Sequence, residues 1–472
     1  SASGHPPVTA ATETGKWIIS KSSLRRALRC LSLGAILSFS LSGCALVSGR
    51  APHGVIDAQW KAGRWQIDTP IVGYYHGPGG GADRWGPLTH GMARKLVDGG
   101  FNLVWGSRIE DLDVAHAHGL RVLLLTKELI WAHATGPGAY DDPARWAQIY
   151  SLIDSVKDHP ALYNYHVADE PSTAVFPMLA RVVAYVREHD PAHEAHINLF
   201  PTYASAVALG TAGDPETAYR EHLRQYLEVV KPDLISWDHY PFRRTSDSGD
   251  YFLNLALIRE ASIYGGVPFI NVIQAVALSS ESRIPTGAEG RYQAYTTLAY
   301  GGQGISHYTY WPYGDYRGGI SGFDDIEFDE KRAAKDAAAP ITPLGEALRE
   351  IHPRFIAIAE ELQTLTSLGV YHLGVIPQGG VGLPTTAAFT VDPAVPAGQK
   401  RGILLGYFGS AGKTGHVLVV NLDYTQDVTT TVVGPGPMEA FDAGKRRWQS
   451  ASAGRRAKVD LLAGGGVLLR LR

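Results

Sequence analysis

From residue 70 onward, short apolar runs alternate with amphipathic stretches at intervals of roughly 20 to 40 residues, and few folds other than a parallel βα barrel satisfy that rhythm. Eight such units can be counted. The expected strands are 71–76, 102–106, 121–126, 163–168, 196–200, 234–238, 268–274 and 304–311, each bounded by turn residues and rich in β-branched or aromatic side chains. Strands buried on both faces read this way. Helices are expected over 142–157, 219–230, 251–264, 288–300 and 343–362. A further helix over 178–188 places Leu179, Val182, Val183 and Val186 on one face. Asp142-Pro143 and Thr342-Pro343 are helix starts, because proline fits a first turn and breaks a later one.

After Leu365 the texture changes. Strand signals at 370–376, 402–407, 415–422, 428–433, 459–461 and 466–471 stand close together with Gly, Pro and Asn between them. That spacing predicts an antiparallel β-sandwich, which is expected to stabilise its neighbour rather than carry chemistry. The chain is therefore read as an α/β protein, with a (β/α)8 TIM barrel over 52–365 followed by a C-terminal β-sandwich over 366–472. Its 472 residues, 45% of them hydrophobic, suffice for two cores.

The first 44 residues read as a leader. Arg25, Arg26 and Arg29 precede an apolar run over 31–41 that is too short for a permanent membrane span. It ends in Leu41-Ser42-Gly43-Cys44, which resembles the lipobox of bacterial lipoproteins. The resemblance implies lipidation at Cys44, export, and anchoring at the cell envelope with no other membrane contact. Residues 1–20 lie upstream of that signal and are left out of fold reasoning. Cys30 and Cys44 are the only two cysteines, so the domain after the leader has no disulfide pair to form. A net charge of −3 and the lack of a basic run after residue 50 argue against a nucleic-acid partner.

Chemistry concentrates at 162–171, where an apolar, aromatic strand closes in Asp169-Glu170 and Pro171 forbids its continuation. Barrel enzymes react at the carboxyl ends of their strands, so the residues expected there are decisive. Strand 1 offers Tyr74 and His76, strand 2 Trp105 and Arg108, strand 3 Lys127 and Glu128, and strand 4 the two acids. Strand 5 offers Asn198 and Tyr203, strand 6 Asp238, His239 and Tyr240, strand 7 Gln274, and strand 8 Tyr308, Tyr310, Trp311 and Tyr313. Aromatic rings suit the apolar faces of sugars, and paired carboxyls cleave glycosidic bonds. Glu170 is the expected general acid, with Asp169 supplying a negative charge that keeps it protonated.

A strand 4 ending in Glu170, a strand 6 ending in Asp238-His239-Tyr240-Pro241 and a strand 8 ending in Tyr310-Trp311 resemble the superfamily of retaining β-glycosidases that includes β-galactosidases. The resemblance implies that Glu170 is the acid/base and that Tyr240 supports a nucleophile on strand 7. At that position the chain departs from the family, because Gln274 stands where a glutamate belongs and Asp169 replaces a common Asn. Three readings follow. One is inverting hydrolysis, with Asp238 or Glu128 activating water. Another is substrate-assisted cleavage of an N-acetylhexosaminide, with Asp169 orienting the acetamido group and Gln274 or Tyr240 binding the intermediate. The last is a surface protein that binds glycan without turning it over. None calls for a cofactor or metal. A metal hydrolase would need a His-x-His pair ending strand 1, whereas His116-Ala-His118 falls on a helix before strand 3. A phosphate-binding barrel would need a glycine-rich loop after strands 7 and 8, and Gly301-Gly302 precedes strand 8. The acidic stretch 315–330 is a candidate rim loop.

Overall fold

The computed structural model describes residues 70–79, 86–129, 141–322 and 340–472, so the leader with Cys44 and residues 323–330 of the candidate rim loop lie outside the described residues. Each expected unit contributes a strand: β1 (Ile71–Tyr75), β2 (Leu103–Gly106), β3 (Arg121–Leu124), β4 (Leu162–Asp169), β5 (Ala195–Leu199), β6 (Ile235–His239), β7 (Phe269–Gln274) and β8 (Gly304–Tyr308). They pair in parallel in the order β1-β8-β7-β6-β5-β4-β3-β2, the circular order of a (β/α)8 barrel. Asn102 stitches the remaining seam: its N–H donates to the Val72 carbonyl at 3.1 Å and its Oδ1 accepts from the Val72 N–H at 2.8 Å.

Helices alternate with these strands: α1 (His90–Asp98), α2 (Asp111–Ala117), α3 (Pro143–Val156), α4 (Phe176–His189), α5 (Pro215–Gln225), α6 (Tyr251–Gly265), α7 (Gly287–Ala299) and α8 (Pro343–Leu362). Their starts follow from local chemistry. Asp142 accepts from the Ala144 N–H at 2.9 Å ahead of Pro143, and Thr286 with Glu289 closes a reciprocal capping box on α7. α5 begins four residues before its expected start, because Asp214 caps it and Pro215 occupies its first turn. Its expected last turn is instead a π turn, Tyr226–Val230.

The sandwich contains β9 (Thr366–Leu373), β10 (Thr390–Asp392), β11 (Ile403–Ser410), β12 (Lys413–Asn421), β13 (Val428–Val433), β14 (Met438–Asp442), β15 (Arg447–Ser452), β16 (Arg456–Leu461) and β17 (Gly466–Leu471). A six-stranded antiparallel sheet runs β9-β11-β12-β17-β14-β15, and β10-β13-β16 form the second sheet. The central strands of the larger sheet are buried on both faces. Leu405, Tyr407, Val417, Val419 and Leu469 point to the second sheet, while their neighbours Leu404, Phe408, Leu418, Val420 and Leu468 join the core of the barrel. Period-two alternation thus docks one sheet on two partners.

Candidate active site

The contacts between rings fix which strand positions face the lumen. Tyr75 of β1 lies 4.7 Å from Trp105 of β2, 6.0 Å from His166 of β4 and 6.5 Å from Tyr308 of β8, centroid to centroid, so these four rings point inward. Tyr74 points the other way, against Phe101 and Tyr310, and its hydroxyl donates to the Pro78 carbonyl at 2.5 Å. The expected sugar contacts at Tyr74 and Tyr310 are thus corrected: both rings pack behind the barrel wall. Trp311 is buried beside Tyr310, with its backbone N–H bonded to the His76 carbonyl.

Two further expectations change in the same way. His239 faces α6 and the loop before it, where its nitrogens lie 3.0 Å from Asn254 Oδ1 and 3.3 Å from Ser248 Oγ, and burial lowers its pKa to about 4. It is a structural histidine. The Gln274 side chain is bonded at both ends to backbone: Oε1 accepts from the Phe242 N–H at 2.9 Å, and Nε2 donates to the carbonyls of Val276 at 3.0 Å and Arg283 at 3.2 Å. With its amide engaged this way, Gln274 braces the loops after β6 and β7 and has no free group for a sugar.

At the carboxyl mouth three acids come together from two strands. β4 carries a bulge between His166 and Ala168 that re-aims its end, so that Asp169 pairs with Asn198 of β5. Glu170 then takes a left-handed backbone, φ 46°, and its N–H donates to the Asn198 carbonyl at 2.8 Å. A glutamate held in that region carries about 1–2 kcal/mol of strain, and such strain gathers at functional sites. Burial, then the Asp169 charge, pushes the Glu170 carboxyl up to about 7. Asp238 of β6 is buried, and desolvation together with the charges of Glu170 and Asp169 raises it well above the usual carboxylate range. The three groups therefore share one electrostatic site.

Their surroundings are aromatic. The Tyr240 hydroxyl donates to Asp238 Oδ2 at 2.8 Å, and its ring stacks on Tyr308 at 5.2 Å. His76, which also takes a left-handed backbone at φ 47°, sits 4.8 Å from Trp105 and 4.6 Å from Tyr313. Tyr203 is 43% exposed at the rim with the Arg243 guanidinium 5.7 Å above its ring; burial, then the Asp238 charge, raises its hydroxyl. Lys127 is exposed and lies 4.0 Å from Glu128, while Arg108 is half-buried in the loop after β2. Two buried polar atoms, Trp105 Nε1 and Asp238 Oδ1, have no hydrogen-bond partner among the described residues. An inward N–H donor and a carboxyl oxygen with open valences suit a hydroxyl-bearing ligand.

The inward set that sequence reasoning missed is Tyr75, His166, His196 and Ser236. Strand parity was the signal available, but 71–75 is apolar on both faces and does not reveal it. His116-Ala-His118 lies on α2 and its end, where His118 Nε2 is 3.0 Å from His90 Nδ1.

These features define a (β/α)8 barrel with an acidic, aromatic mouth. No family model and no curated protein matches the sequence. In fold the chain is similar to several glycoside hydrolases. A catalytic mutant of a family 42 β-galactosidase from G. stearothermophilus is 10% identical at a TM-score of 0.48, over 86% of this chain and 99% of that one. A family 5 glycoside hydrolase from Bacteroides vulgatus is 12% identical at 0.47, over 85% and 89%. A family 39 enzyme from Bacteroides cellulosilyticus is 11% identical at 0.45, over 86% and 82%.

Proposed function

We propose that this chain is a glycoside hydrolase in which Glu170 is the general acid and Asp238 the second carboxyl. The observation that carries the reading is the meeting of Asp169, Glu170 and Asp238 at the mouth, where burial, then the Asp169 charge, pushes the Glu170 carboxyl up to about 7. Burial, then mutual repulsion, favours keeping a proton in the cluster. Glu170 delivers that proton to the glycosidic oxygen as the bond to the anomeric carbon breaks. Asp238, ionised in the state of the cluster in which Glu170 holds the proton and oriented by the Tyr240 hydroxyl, takes a proton from the water that attacks the same carbon, so the products are a free reducing sugar and an alcohol. Sugar-binding roles go to His76, Trp105, Arg108, Lys127, Glu128, Tyr203, Tyr240 and Tyr308.

A second reading is supported by Asp169, whose Oδ1 accepts from Asn198 Nδ2 at 3.1 Å and is thereby aimed beside the acid. On that reading Asp169 orients the acetamido group of a 2-acetamido sugar, which itself attacks the anomeric carbon. Proton NMR of the first-formed product separates the two: inversion at the anomeric carbon supports Asp238, and retention confined to 2-acetamido substrates supports Asp169. Glu170→Gln should abolish release of reducing ends from the glycan that wild type cleaves while still binding it. Binding without turnover by wild type across a glycan panel would favour a glycan-binding surface protein.

Export and lipid anchoring at Cys44 complete the proposal, on the strength of the lipobox-like Leu41-Ser42-Gly43-Cys44. Cys44→Ala should move the protein from the membrane to the soluble fraction, and continued membrane retention would contradict the anchor.

A further inference from the structure

Below the acid cluster the barrel interior is not apolar. Asn198 of β5 is 2% exposed, and both ends of its amide are engaged: Nδ2 donates to Asp169 Oδ1 at 3.1 Å, and Oδ1 accepts from Ser236 Oγ at 2.9 Å. Ser236, on β6, is fully buried and also contacts the Tyr75 hydroxyl, which lies 3.5 Å from His196 Nε2. A serine, an amide and a carboxyl from three adjacent strands are thus joined in line, leading upward to the exposed Asp169.

We propose that Asn198 and Ser236 are positioning residues, a two-link chain that fixes the Asp169 carboxylate beside Glu170. A substrate contact is expected for Asn198 from the sequence, but the amide is buried below the acids and directed at Asp169 and Ser236. Its effect is instead on the proton of the acid. Asp169 is exposed, and the Asn198 N–H sets the direction of its carboxylate; loosening that bond lets the charge act on Glu170 from a more solvated position, through a higher dielectric. Held by Asn198, the charge stays where it opposes ionisation of Glu170. The Ser236 hydroxyl fixes the amide orientation: by donating to Oδ1 it leaves Nδ2 as the end that meets Asp169.

Among the described residues, the charged and titratable groups that bear on Glu170 can be named. Asp169 stands beside it on β4 and Asp238 on β6, and the hydroxyls of Tyr203 and of Tyr219 on α5 both sense the Glu170 charge. Arg243 lies behind Tyr203. His196, which burial lowers to about 3, is neutral at working pH and adds no charge from below. Asp169 is therefore the anion whose position the chain controls. Backbone and side chain can also be separated, because the Asn198 carbonyl that receives the Glu170 N–H survives any side-chain substitution.

The catalytic meaning of this chain rests on the hydrolase reading, but its test needs no substrate. Protein labelled with ¹³C at the glutamate carboxyl is titrated by NMR, with Glu170 assigned as the signal lost in Glu170→Gln. Wild type should titrate near 7, and Asp169→Asn should lower the midpoint toward the ordinary 4.5. Asn198→Ala should lower it in the same direction by no more than Asp169→Asn does, and should add nothing in the Asp169→Asn background. Ser236→Ala, which removes a single hydroxyl, should shift it less and covers the case in which Asn198→Ala fails to fold. An unchanged midpoint in both side-chain variants, or an equal shift with and without Asp169, would overturn the proposal. A shifted midpoint in a protein inactive on every glycan would leave the chain standing and remove the hydrolase.

Discussion

Glu170 is a carboxyl whose burial and acidic neighbour both favour keeping a proton. If it is the acid, kcat/KM on a natural glycan should fall as pH rises through about 7, since the form able to donate is lost there. A flat profile between pH 6 and pH 8, in about that range, would contradict the assignment. The same group affects stability. Its folded value lies above its unfolded value of 4.5, so folding binds the proton; the stabilisation is complete below 4.5 and is lost as pH rises through about 7. Across that window wild type should lose up to about 1.4 kcal/mol per pH unit relative to Glu170→Gln. Urea melts of the two proteins at three pH values check it, and parallel stability curves would count against the raised carboxyl.

At the scale of elements, Gln274 separates this barrel from the glycosidases its sequence resembles. Restoring the missing glutamate by Gln274→Glu should not create a nucleophile. It would bury a carboxylate against the carbonyls of Phe242, Val276 and Arg283 and lose the donor they need. We expect a stability loss of about 2–5 kcal/mol, measured by urea melts, with no change in the product anomer. The elements themselves were legible in the sequence, because strands buried on both faces and capped, proline-started helices leave strong local signals. In the sandwich, β10, β14 and β15 escaped notice, being short or, in the case of Arg447–Ser452, largely polar and exposed. At the site the acids were legible because Asp169-Glu170-Pro171 interrupts an apolar strand. The facing of Tyr74, Tyr75, His239 and Tyr310 was not, since one residue of parity moves a side chain from lumen to helix layer and aromatic runs hide it.

Across the whole molecule, barrel and sandwich share one core, and their rims are tied by charge. Asp247, in the loop after β6, accepts from Arg283 of the barrel at 2.8 Å and from Arg401 at 2.7 Å, and also from the Tyr424 hydroxyl of the sandwich. These partners hold its carboxyl below the usual range despite burial, so this contribution is present at neutral pH and fades as pH falls through 3.8 and below. Asp247→Ala leaves two arginines facing each other and should cost about 2 kcal/mol. Unfolding should remain a single transition by calorimetry; two resolved transitions in wild type would contradict a shared core. What this assembly serves, on the hydrolase reading, is delivery of one proton from Glu170 to a poor leaving group. The most direct test compares Glu170→Gln on a natural glycoside and on a dinitrophenyl glycoside of the same sugar, whose leaving group needs no proton. The expected loss is about 10²–10⁴-fold on the natural glycoside with little change in bond cleavage on the activated one, while equal loss on both, or none on either, would rule out Glu170 as the acid.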